Sequence, residues 1–109
     1  MFHMLTCFNL DSGVTVDEFR QALANLTTHL HGRNLVDSTG PIGRRQRDTI
    51  MDTDDERNHE YFFLMSFEDR AQCDRSVEYL HPHGEPVESI HKAVYSKVVD
   101  PIFICWEDL

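Results

Sequence analysis

Three of the chain's seven histidines fall within YLHPHGEPVESIH, residues 79–91, and their spacing raises the question of a metal or proton-transfer site. In His81-Pro82-His83 the residue before proline is pushed to an extended backbone, which would let His81 and His83 project to one side as two metal ligands do. Two ligands fall short of a site, and Glu85 or His91 would have to supply the third, so no metal is expected. Glu78/His81 and Glu88/His91 repeat the Glu-x-x-His spacing of di-iron carboxylate bundles. Those sites need four long helices, and Pro82, Gly84 and Pro86 stand between the two copies. The reading that remains is that His81 ends a helix, Gly84 turns the chain, and Pro86 restarts a helix that carries His91.

Other polar groups can be weighed in the same way. Asp52, Asp54 and Glu56 match the first three ligand positions of a calcium loop, but its sixth position is Arg57 rather than glycine and its twelfth is Phe63 rather than glutamate. A solvated hairpin loop is expected instead. Arg44, Arg45 and Arg47 form the one basic cluster and could grip an anionic ligand, or pair with the chain's 19 acids. Cys7, Cys73 and Cys105 are odd in number and lack CxxC spacing, which gives no disulfide framework and suits reduced thiols in a cytoplasm. Catalysis is left to His3 and His91, whose imidazoles can act as general bases near neutral pH on an acidic C–H or phenol. Asn9, Arg44, Arg45, Tyr61 and Trp106 are the ligand-binding candidates. The competing reading of each histidine is a hydrogen-bonded structural residue.

These side chains must be placed by regular elements. Phe2, Met4, Thr6, Phe8 and Leu10 alternate with His3, Leu5, Cys7 and Asn9, the period of a strand with one apolar face. Thr15 and Glu18 form a capping box that opens a helix with an apolar stripe at Val16, Phe19, Leu23, Leu26 and Leu30. LVDSTGPIGRRQ, with Gly40, Pro41 and Gly43, predicts an irregular edge strand. EYFFLMSF predicts a central strand covered on both faces. Asp69 and Gln72 cap a second helix, with Cys73, Val77 and Leu80 inward. A short third helix follows Pro86, with Val87, Ile90 and Val94 inward, and SKVVDPIFICWEDL closes as an edge strand interrupted at Pro101.

The order strand, helix, strand, strand, helix, strand predicts one α+β domain over residues 1–109: a ferredoxin-like βαββαβ unit whose four-stranded antiparallel sheet carries helices on one face. The other face, with Leu5, Cys7 and alternate aromatics of the third strand, would leave a large apolar patch in water. Pairing of two such sheets in a homodimer would cover it. A formal charge of −9 and a pI near 5.0 argue against nucleic-acid and anionic-membrane partners, which need clustered positive charge. The first residues lack a basic stretch and reach an acid at Asp11, so neither a signal peptide nor a membrane span is expected there, and a cytoplasmic location follows.

This layout, with GRRQ after the first helix and EPVESIHKAV before the last strand, resembles the dimeric α+β barrel superfamily, and within it a small group of uncharacterised bacterial ferredoxin-like proteins. The resemblance implies a ligand pocket between sheet and helices or inside the barrel. That superfamily includes stress-responsive proteins, cofactor-free antibiotic-biosynthesis monooxygenases and haem-degrading monooxygenases. The haem-degrading members use an asparagine on the first strand, a tryptophan on the third and a histidine on the second helix. Asn9 and, loosely, His81 match, but EYFFLMSF has no tryptophan and Trp106 sits on the last strand. No cofactor is expected. Two functions stay open: a dimeric small-molecule-binding protein, or a cofactor-free monooxygenase or isomerase acting on an aromatic or polyketide-like substrate with His3 or His91 as base.

Overall fold

A computed structural model describes residues 1–81 and 84–109. Strand β1, Phe2–Leu10, lies at the centre of an antiparallel sheet between β4, Tyr61–Phe67, and β5, Val98–Glu107. Helix α1, Val16–Gly32, is opened by Thr15, whose hydroxyl accepts from the Glu18 amide at 3.1 Å. Helix α2, Arg70–Leu80, is opened by Asp69, whose carboxylate accepts from the Gln72 amide at 2.8 Å. Helix α3, Val87–Tyr95, starts directly after Pro86. The helices cover one sheet face, and Phe8, Phe19, Phe63, Phe67 and Leu30 are buried in the core between them. Ring centroids of Phe8 and Phe19 are 4.7 Å apart, and those of Phe8 and Phe63 5.7 Å.

The expected four-stranded sheet has five strands because its irregular edge is split in two. Ser38–Thr39 (β2) and Gly43–Arg44 (β3) each pair with β4, giving the order β2-β4-β1-β5 with β3 beside β4. Pro41 lacks an amide hydrogen and separates the two pairings, while the Gly40 amide still reaches the Leu64 carbonyl at 2.8 Å. At the other edge β5 continues through Pro101 by means of a bulge opposite Phe8, between the Cys7–Ile102 and Asn9–Val99 pairs. Asp100 takes a positive φ of 54° there, and the buried His59 donates from Nε2 to its carbonyl at 2.7 Å.

Helix α2 departs from its expected apolar stripe. Cys73 is buried and Leu80 partly so, but Val77 is 49% exposed. Its place in the packed face is taken by Gln72 and Ser76, both buried. The Gln72 side chain donates to the Asn34 carbonyl at 3.1 Å and accepts from the Glu68 amide at 2.7 Å, and Ser76 donates to the Leu35 carbonyl. This helix therefore docks by bonding the turn after α1 as well as by apolar contact. His81 ends α2 with an extended backbone, φ −132° and ψ 133°, as the following proline demands. His83 and the bend expected around it lie outside the described residues. No helix among the described residues is long and apolar enough to cross a membrane.

Candidate functional site

A cavity of about 380 Å³ lies between the sheet and the helices. Its floor is the helix-facing side of three strands, with Met4 and Thr6 from β1, Phe63 and Met65 from β4, and Phe103 from β5. Leu23 and Leu26 of α1 form one wall, and Val77 of α2 with Val94 of α3 the other. The exposure of Val77 is thus exposure at a cavity wall. His81, His91 and Tyr95 border the cavity and also a shallow outer groove that adds Gly84 and Glu88. We take this shared border as the cavity mouth.

The two mouth histidines meet edge to face, with ring centroids 6.2 Å apart, and His91 lies 5.0 Å from the Tyr95 ring. Burial pushes the His91 pKa below its ordinary value, and the neighbouring His81 lowers it further. His91 is therefore a neutral imidazole at pH 7, able to accept a proton or a hydrogen bond. Among the described residues no group of three or more His, Cys, Asp or Glu side chains is placed to hold a metal ion. One polar residue interrupts the apolar floor: Thr6, whose Oγ1 is buried and has no hydrogen-bond partner among the described residues. Thr6 escaped notice in the sequence, although a hydroxyl in the middle of Phe2, Met4, Phe8 and Leu10 is the visible signal.

The other candidate residues do not converge on this cavity. His3 and Asn9 point to the opposite sheet face from Phe8, so His3 and His91 are separated by the sheet. His3 accepts or donates at Nδ1 with the Ser66 hydroxyl, 2.8 Å away, and at Nε2 meets the Asp108 carboxylate at 2.9 Å. The Asp108 carboxyl is held below its usual pKa, chiefly by this bond to His3. Hydroxyl, imidazole and carboxylate are thus in line, as in a nucleophile triad. However, β4 is an interior strand whose amides serve the ladders on either side, so β4 itself sets aside no donor pair for an oxyanion. The network instead ties the two chain ends, where the Asp108 amide also donates to the Met1 carbonyl at 2.9 Å. The Trp106 ring packs tilted against His3, with centroids 5.2 Å apart and planes at 33°.

Asn9 holds the long loop before β4, donating to the Asn58 carbonyl at 3.1 Å and accepting from the Glu60 amide at 2.9 Å. Arg45 is bidentate to Asp52 at 2.8 and 2.7 Å and also donates to the carbonyls of Asp54 and Arg57. The acidic run is therefore an ion-paired loop rather than a freely solvated one. Arg45 lowers the Asp52 pKa below its ordinary value through this bond. Arg44 lies over the Tyr61 ring at 5.6 Å, and Tyr61 stacks on Phe8 outside the cavity lining. On the outer sheet face Leu5 pairs with Leu64 and Ile104, and Cys7 with Phe62 and Ile102. Ile102, Ile104 and Trp106 are exposed there, so the β5 side of this face is apolar and left open by this chain, whereas Cys7 and Ser66 are buried. Cys7 itself is buried, which raises its thiol pKa against the opposing charges of Arg57 and Arg45.

No protein-family model matches the sequence, and no curated protein matches it. Solved structures do. A protein of Arabidopsis thaliana superposes with a TM-score of 0.74 at 7% identity, covering 100% of this chain and 96% of that one. A mutant of SnoaB, a cofactor-independent oxygenase from Streptomyces nogalater, gives 0.67 at 8% identity over 98% and 91%. A dimeric ferredoxin-like protein of unknown function from Jannaschia gives 0.65 at 16% identity over 98% and 98%. At these identities the likeness is one of fold: the chain has a ferredoxin-like α+β fold.

Proposed function

We propose that this protein is a homodimer that binds a small, largely apolar molecule in the cavity between sheet and helices. The carrying observation is the cavity itself: about 380 Å³, walled by leucine, methionine and phenylalanine side chains, with polar groups at its mouth and floor. That volume suits a ligand of two or three fused rings, and an apolar pocket with a few convergent polar groups is the usual form of a ligand site. Dimerisation through the outer face is supported by the exposed Ile102, Ile104 and Trp106 on a long edge strand, and by dimeric proteins among the structures of the same fold. Titration with N-phenyl-1-naphthylamine, an uncharged fluorophore that brightens in apolar surroundings, tests the reading. Saturable binding at one site per chain is expected, and a linear, unsaturable rise would overturn it.

A second reading is favoured by one further observation, the place of His91 at the cavity border, where burial lowers its pKa and favours the neutral imidazole. There it can take a proton from a phenol or an acidic C–H of an aromatic or polyketide-like substrate, as a cofactor-free oxygenase or isomerase requires. A cofactor-independent oxygenase shares the fold. In this reading His91 is the base, whereas His3 would act only on chemistry at the outer face. Oxygen uptake or isomerisation with phenolic probes that falls in His91→Ala supports it; turnover unchanged in that variant refutes it.

A further inference from the structure

We infer that Thr6 is the buried anchor of the cavity, and that the cavity selects apolar molecules that carry a hydroxyl or carbonyl at the end that enters first. This rests on the reading that the cavity binds a ligand. Thr6 is only 3% exposed, and its side chain lines the cavity floor. Its cross-strand neighbours are Phe63 and Phe103, and Met4 lies beside it on the same face. Among the described residues no protein atom bonds its hydroxyl. A valine of the same shape would fill this position without stranding a polar group, so the hydroxyl is unexplained by packing. A resident water is a poor partner, because a buried water needs two to four polar contacts and the side chains of its neighbours Met4, Phe63 and Phe103 present only carbon and sulfur. Ser76, also in the lining, spends its hydroxyl on the Leu35 carbonyl. A ligand oxygen satisfies Thr6 once its side chain turns the hydroxyl toward the cavity, while the apolar body of the ligand covers the phenylalanines.

The test is competition of 1-naphthol and of naphthalene against N-phenyl-1-naphthylamine, on the wild type, Thr6→Val and Thr6→Ser. The ratio of the naphthalene to the 1-naphthol dissociation constant measures selection for the hydroxyl and removes differences in cavity size. One hydrogen bond to a buried group predicts that this ratio falls about five- to tenfold in Thr6→Val and is kept in Thr6→Ser. An unchanged ratio in Thr6→Val refutes the anchor while leaving the cavity intact as a binding site. Saturable fluorophore binding that neither compound displaces refutes the anchor, whereas absence of saturable fluorophore binding in the wild type removes the binding reading and the anchor with it. Thr6→Val should also raise the melting temperature of the ligand-free protein, and a fall would show that the hydroxyl has a structural partner.

Discussion

If the space between sheet and helices is a true cavity, enlarging a side chain at its wall should stabilise the protein. Val94 is a suitable position, since it is 8% exposed and lines the cavity one turn along α3 from His91. Val94→Phe adds roughly 50 Å³ of side chain, and at about 24 cal/mol per Å³ of filled cavity this stabilises by about 1 kcal/mol. The volume is available, being a small part of the 380 Å³. In a close-packed core the same enlargement would cost about 1–3 kcal/mol through displaced neighbours and strained rotamers. The sign of the effect therefore decides between the two pictures. Urea unfolding followed by circular dichroism measures it, with protein concentration held fixed because association contributes to apparent stability. The fluorophore affinity of the same variant should drop at least tenfold. A variant destabilised by more than about 1 kcal/mol that binds the fluorophore normally would refute the reasoning.

Three further outcomes are expected. Gln72→Ala strands the Asn34 carbonyl and the Glu68 amide beneath α2, so stability should fall by about 2–4 kcal/mol in urea unfolding, and a loss below 1 kcal/mol would show that water or rearrangement replaces both bonds. The folded state disfavours protonated His91, so the stability this residue contributes is complete above the ordinary histidine pKa near 6.5 and is lost as pH falls from there through the lowered folded value. The melting temperature of the wild type should accordingly drop more between pH 7.5 and pH 5 than that of His91→Gln, and equal drops would assign the acid sensitivity elsewhere. Ile104→Asp places a charge in the middle of the outer face, and sedimentation velocity should show a dimer becoming a monomer, whereas an unchanged dimer would locate the interface on another surface.

The parts of the fold legible in the sequence are those set by local physics. Thr15 and Asp69 cap their helices as expected because the bonds they make span three residues. The two-residue alternation of β1 separates Phe8 from His3 correctly, and Pro41 and Pro101 mark the two sheet edges. That same alternation explains why His3 and Asn9 cannot join His91: α3 lies on the side their neighbours face. What was not legible depends on distant partners. Val77 has the spacing of a core residue, but Gln72 and Ser76 win the packed face because the carbonyls of Asn34 and Leu35 lie there to be bonded. Arg45 has the appearance of an anion site, and only the folded loop brings it Asp52 and two carbonyls. The cavity has no sequence signature at all, since its volume is the difference between packed side chains and the space the backbone encloses.

The most direct test of the binding site is a heteronuclear NMR titration of the labelled protein with 1-naphthol. The account predicts saturable shift changes at Thr6, Leu23, His91, Val94 and Phe103, with Leu5, Leu64 and Trp106 unmoved. Changes confined to those outer-face residues, or none that saturate, would contradict it.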